Sequence, residues 1–212
     1  MNSRSLYLAA AAMAFGVMAC NSTTEPVTGI DQIDVNQLAN DVDALSVSAL
    51  GDVGASSLSP LFSLSPSDAP LASVSAVNRS FTNTHSCPVS GSVTVTGTTV
   101  GTSDPVAHNL AVTTNATRTD AACAFNTKGG VVTINGNPNL ALASTVNIVA
   151  GKPTGPQTQS HKGSFTWARS GKTGTCDVNI TSVYDPAAGT FTVTGTFCGK
   201  TVNVSRTGPK SP

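Results

Sequence analysis

The chain has 212 residues, 11 basic and 11 acidic, so it carries no net charge, and only 10% of it is charged, against about 25% in ordinary soluble domains. That length holds one domain with a core, or two small ones. Zero net charge excludes a broad electrostatic case for nucleic acid, and neutral Thr, Ser and Asn stand where charge would, the composition of exported β-rich proteins whose strands face water.

Residues 1–20 read MNSRSLYLAAAAMAFGVMAC. Arg4 gives a short positive start, Leu6 to Met18 is an apolar run, and small residues lead into Cys20. That layout is a secretory signal peptide over residues 1–19, with an apolar run short for a bilayer span. Val17-Met18-Ala19-Cys20 resembles the lipobox of bacterial lipoproteins. The resemblance covers only these twenty residues. It implies that Cys20 becomes the first residue of the mature chain and carries lipid on its thiol and amino group. Asn21, in place of the aspartate that holds such proteins in the inner membrane of enteric-type bacteria, implies the outer membrane or cell surface. Cysteine arithmetic agrees. Five cysteines are present, Cys20, Cys87, Cys123, Cys176 and Cys198, and lipidation of Cys20 leaves four, enough for two disulfides in an oxidising compartment.

Residues 20–33 read as the lipidated cysteine and a polar tether, with Pro26 and Gly29 keeping it irregular. Over 34–51, Val35, Leu38, Val42, Leu45 and Ala49 recur at spacings of three and four, which predicts an amphipathic helix. Asp34 and Gln37 suit a capping box, and Gly51 a stop. The face Val35, Leu38, Val42 and Leu45 is the predicted docking surface. Asn36, Asn40, Asp43 and Ser46 are assigned to the solvent side. Residues 52–78, rich in Ser with Pro60, Pro66 and Pro70, read as a linker. Charge changes sign near residue 79: seven acidic residues and no basic one occupy 21–78, whereas ten basic and four acidic residues follow. The acidic segment either docks on the basic domain or stays solvated.

From 79 to 212 the period becomes two, as in Ser92-Val93-Thr94-Val95-Thr96, Cys176-Asp177-Val178-Asn179-Ile180 and Phe191-Thr192-Val193-Thr194. Turn signals at 102–105, 128–130, 135–138, 151–156, 170–172 and 185–189 separate eight to ten strands. The expected fold is mainly β: one antiparallel meander, half-barrel or barrel with the single helix at its N-terminal side, or alternatively a β-sandwich. If Tyr184 faces Thr190 across a five-residue loop, Cys176 faces Cys198. That register sets Val178 and Ile180 opposite Thr196 and Thr194, a conflict that a bulge at Gly195 or a loop one residue different would remove. Of three formal connectivities, Cys176–Cys198 is favoured, and Cys87–Cys123 follows by elimination.

No catalytic motif emerges. Ser170-Gly171-Lys172-Thr173 lacks the upstream glycine of a phosphate loop, because Thr166 stands there. Lys172-Thr173-Gly174 lacks the S-x-x-K element of the penicillin-binding enzymes. His85, His108 and His161 are dispersed, no C-x-x-C pair exists, and each histidine is read as an exposed strand or turn residue, so neither metal nor cofactor is expected. The aligned threonines are read as ordinary solvent-facing residues, because no sequence repeat supplies the many ranks an ice-binding face needs. The expected function is a non-enzymatic, lipid-anchored envelope module that binds a macromolecule or builds the outer layer, held to the membrane by lipid on Cys20. The alternative is a carrier that holds an apolar ligand in a curved sheet. Neither involves nucleic acid.

Overall fold

Strands with one dry face must find both an edge partner and something to cover that face. In the computed structural model, which describes residues 34–48, 74–136 and 139–207, one antiparallel sheet meets the first need and one helix the second. Helix α1 spans 34–48. The strands are β1 (Ser75–Ser86), β2 (Ser90–Asp104), β3 (Asn109–Thr127), β4 (Gly130–Gly136), β5 (Leu140–Val149), β6 (Lys152–Pro153), β7 (Gln157–Arg169), β8 (Lys172–Asp185), β9 (Thr190–Phe197) and β10 (Lys200–Thr207). β1 begins ahead of the boundary expected at residue 79, so Ser75–Asn78 belong to the sheet and not to the linker. The leader with Cys20, the tether and residues 49–73 lie outside the described residues.

Neighbours follow the order β1-β2-β3-β4-β7-β8-β9-β10. Among the described residues β1 and β10 do not pair, so the meander is an open half-barrel and not a closed barrel or a sandwich. β4 and β5 share one position between β3 and β7. Cys123–Thr127 and Phe165–Ala168 flank β4, while Leu110–Arg118 and Thr158–Lys162 flank β5. β4 and β5 therefore run in the same direction along one strand line, and the chain does not reverse between them as the turn signal at 135–138 predicts. A reversal is not needed, because β3 and β7 are long enough to pair with both pieces.

The turns explain the register. Asp104 Oδ1 accepts from Val106 N at 3.0 Å and Ala107 N at 2.9 Å. Asp185 Oδ1 accepts from Ala187 N at 2.9 Å and Ala188 N at 3.1 Å. Both are Asp-Pro loops in which the carboxylate stands in for a backbone acceptor. The second loop has four residues, not five: Asp185 pairs with Thr190, and Val178 pairs with Phe197. Apolar residues thus face one another without a bulge at Gly195. Ala150-Gly151, Ser170-Gly171 and Cys198-Gly199 carry positive φ at both positions, the requirement of two-residue turns that match strand twist.

An irregularity does occur elsewhere. Ser90 pairs with Ala124 but Ser92 with Ala121, and Ala122 between them has φ 48. This extra residue switches inward-facing positions on β3 from even (Arg118, Asp120) to odd (Cys123, Phe125), so the strand stays dry on one side throughout. The disulfides sit beside such points. Cys87–Cys123 ties the β1–β2 connection to β3 just past the bulge, and Cys176–Cys198 ties β8 to the β9–β10 turn, with Cα separations of 5.4 and 4.3 Å. Two disulfides are the chemistry of an oxidising, extracytoplasmic compartment. Among the described residues, no helix is long and apolar enough to cross a membrane.

On the outer face the pairing puts Thr82, Thr96 and Thr117 side by side. Thr82 and Thr96 hydroxyls bond at 3.1 Å, and Thr84 and Thr94 at 3.0 Å. Strand pairing creates these ranks, so the absence of a sequence repeat did not exclude them.

Candidate functional site

The inner face of the half-barrel is where side chains of most elements converge, and α1 lies in it. Val35, Leu38, Ala39 and Val42 are 0% exposed, in one cluster with Val93, Val95, Phe125, Ile134, Phe165, Trp167, Val178, Ile180, Val193 and Phe197. Leu45, the fourth residue of the predicted docking face, is half-buried against the same cluster. Phe165 and Phe197 ring centroids lie 5.5 Å apart at 57°, a tilted contact that favours the pair beyond its buried area.

The helix is buried over a wider arc than one apolar stripe. Asp43 and Ser46, assigned to the solvent side by periodicity, are fully buried, as is Asp34. The sheet curls around the helix and so covers the positions flanking the stripe. Polar groups taken from water in this way need partners, and the sheet supplies several. Arg118, itself fully buried, donates through Nη1 to the Val42 carbonyl at 2.5 Å and to Ser46 Oγ at 2.8 Å. Its Nη2 donates to Asp120 Oδ1 at 2.6 Å and its Nε to Asp120 Oδ2 at 3.1 Å. This paired fork is the geometry that makes Arg–carboxylate bonds strong. The cation also meets α1 in its C-terminal half, the favourable end of the helix dipole.

At the other end Asp34 pairs with Arg169 of β7, and Gly129 N donates to Asp34 Oδ1 at 3.3 Å. The Gln37 amide, expected in a capping box, donates to the Asn126 carbonyl at 2.9 Å.

Asp43 points at β7 and β8. Ser182 Oγ donates to its Oδ1 at 2.6 Å, and His161 Nε2 stands 3.7 Å from the same oxygen. His161 is 1% exposed, not the exposed strand residue expected. Gln159 Nε2 lies 2.7 Å from His161 Nε2. An amide nitrogen can only donate, so His161 Nε2 accepts and the proton sits on Nδ1. Burial, and then the Arg118 charge, push the imidazole down to about 3. Burial raises the Asp43 carboxyl, against the Ser182 hydrogen bond and the charges of Arg206 and Arg118.

Ser182, His161 and Asp43 are the residue types of a hydrolytic triad, but the arrangement differs. The hydroxyl donates to the Asp43 carboxyl, His161 accepts from Gln159, and all three are sealed from water. The hydroxyl bonds the aspartate and not the imidazole, so the Ser–His link of a triad is not made, and the Ser182–Asp43 bond joins sheet to helix.

Sequence reasoning missed Arg118, Asp120, His161 and Ser182 as partners of the helix. The available signal was an arginine and an aspartate two apart in a strand, both on the parity of its apolar residues. Cys20 lies outside the described residues. No family model, curated protein or solved structure matches this chain.

Proposed function

We propose that the chain is a bacterial envelope lipoprotein, anchored to the outer membrane by lipid on Cys20, whose half-barrel serves as a binding or structural module and not as a carrier. The lipobox resemblance and the odd cysteine left outside two disulfides support the anchor. The observation that favours a module is the helix inside the half-barrel: the surface that would hold an apolar ligand is covered by Val35, Leu38, Ala39 and Val42 and tied to α1 by Arg118. A depression of about 250 Å³ at the ends of β2, β3 and β5 has a mixed lining, Val74, Leu110, Ile148 and Val149 beside Asp104 and Asn109, and is smaller than the ~300–1,000 Å³ usual for ligand pockets. Among the described residues, the surfaces left for a partner are the outer face, with its threonine ranks, and the two strands that end the sheet.

Native mass spectrometry of protein taken from its own membrane tests both parts. The expected mass is the chain from Cys20 onward plus lipid, with both disulfides intact and no further small molecule. A retained apolar ligand would restore the carrier. A Cys20→Ala variant should leave the membrane fraction with its β module folded, and one that stays bound after a high-salt wash would refute the anchor.

A further inference from the structure

The interface between α1 and the sheet is sealed but not satisfied. Asn40 Oδ1, Asp43 Oδ2 and His161 Nδ1 are buried without a hydrogen-bond partner. Each such atom weakens the docked state by roughly tenfold relative to a helix in water. Two of the three belong to facing residues, one on the helix and one on β7, and both can change protonation.

The groups around them fix what each prefers. From β3, Arg118 and Asp120 already pair with each other. From β10, exposed Arg206 stacks on Phe191 at 4.1 Å and adds positive potential toward Asp43. From β8 comes only the Ser182 hydroxyl, and from β7 the Gln159 amide. Among the described residues, Asp43 itself, 3.7 Å away, is the acidic group that faces His161 without a paired cation of its own.

We infer that α1 is a detachable strap whose release passes one proton from the Asp43 carboxyl to the His161 imidazole, so that the pH dependence of each group offsets that of the other. In the docked state the imidazole is neutral, and the carboxyl is neutral below its raised value. In water the carboxyl ionises and the imidazole binds a proton; one proton is lost, one gained, and none is exchanged with solvent. Release uncovers the apolar inner face.

The signs of the two contributions are opposite. His161 has a docked value below its ordinary 6.5, so on its own it loosens the strap as pH falls from 6.5 toward 3. Asp43 has a docked value above its ordinary 3.8, so on its own it loosens the strap as pH rises from 3.8 to that raised value. Where the two ranges overlap they cancel, each changing the opening equilibrium by up to tenfold per pH unit.

Amide hydrogen exchange of residues 34–48, measured against β7 and β8 amides and corrected for intrinsic rates, tests this at pH 4.5 to 7. In the unmodified protein the helix amides should open more readily than the strand amides, with an opening equilibrium that varies less with pH than in either single variant. Asp43→Asn should make opening rise by up to tenfold per unit as pH falls. His161→Gln should make it fall in the same direction, and the double variant should be flat. Helix and strand amides opening together in the unmodified protein would overturn the strap, a result that needs no variant to fold. Single variants with the unmodified protein's slope would overturn the proton transfer.

Discussion

Ser182 and Asp43 are 139 residues apart in sequence, and the serine hydroxyl donates to the aspartate carboxyl at 2.6 Å in the interior of the half-barrel. The contact joins the first described element to one near the far end of the sheet. Ser182→Ala removes the hydrogen bond that Asp43 accepts in the interior, and should cost about 1–3 kcal/mol in urea unfolding. Asp43→Asn should behave differently with pH. The Asp43 value is raised by burial, so the ionised form destabilises the fold above pH 3.8, and the cost is complete once pH passes the raised value. The asparagine variant should therefore gain on the parent between pH 4 and pH 8. A gain that shrinks over that range would mean Asp43 is ionised in the folded chain without penalty.

Arg118 holds Asp120, the Val42 carbonyl and Ser46 at once. Arg118→Met should cost about 3–5 kcal/mol, because it strands a buried carboxylate and leaves a carbonyl with fewer donors. Adding Asp120→Leu should recover most of that loss. Equal stability of the single and double variants would show that Asp120 finds other solvation.

Removing either disulfide should cost about 3–4 kcal/mol by loop entropy, since their sequence separations, 36 for Cys87–Cys123 and 22 for Cys176–Cys198, are similar. Paired serine variants, compared by denaturant midpoint, should lie close together. A much larger loss at Cys87–Cys123 would show that the bond also holds the bulge at Ala122.

Gly195 has φ +132, and a Cβ there would lie 2.1 Å from the Asn179 carbonyl oxygen. Gly195→Ala should cost more than about 1 kcal/mol and loosen the β8–β9 pairing in amide exchange. A neutral substitution would mean that the neighbouring backbone yields without strain.

The strands were legible because neutral polar residues alternate strictly with apolar ones, as at Ser92–Thr96, and because Asp-Pro and Ser-Gly pairs mark reversals. Local register placed Cys176 beside Cys198, although the loop proposed for it was one residue too long. What the sequence withheld was long-range. Nothing near Asn135–Pro138 says that the next strand continues alongside the same neighbours, because that depends on the lengths of β3 and β7. Helical period separated Val35 and Leu38 from Asp43 and Ser46, but period measures hydrophobicity and not coverage. Once the sheet wraps the helix, flanking positions are buried whatever their polarity, provided Arg118 and Ser182 wait on the other side. His161 looked ordinary because its burial is set by Leu142 and Ile180 on adjoining strands, pairings that no local window contains.

The helix also has consequences for the order of folding. Its contacts with Asn126, Arg169 and Ser182 lie 89, 135 and 139 residues away, whereas the hairpins close over a few residues. The chain is made N-terminus first, so α1 emerges long before its seat exists, and at 15 residues it is of marginal length to persist alone in water. Loop closure over such separations is slow. A segment made before its seat is thus among the last to settle, and until it does the sheet presents its dry side to whatever chaperone or neighbour is at hand.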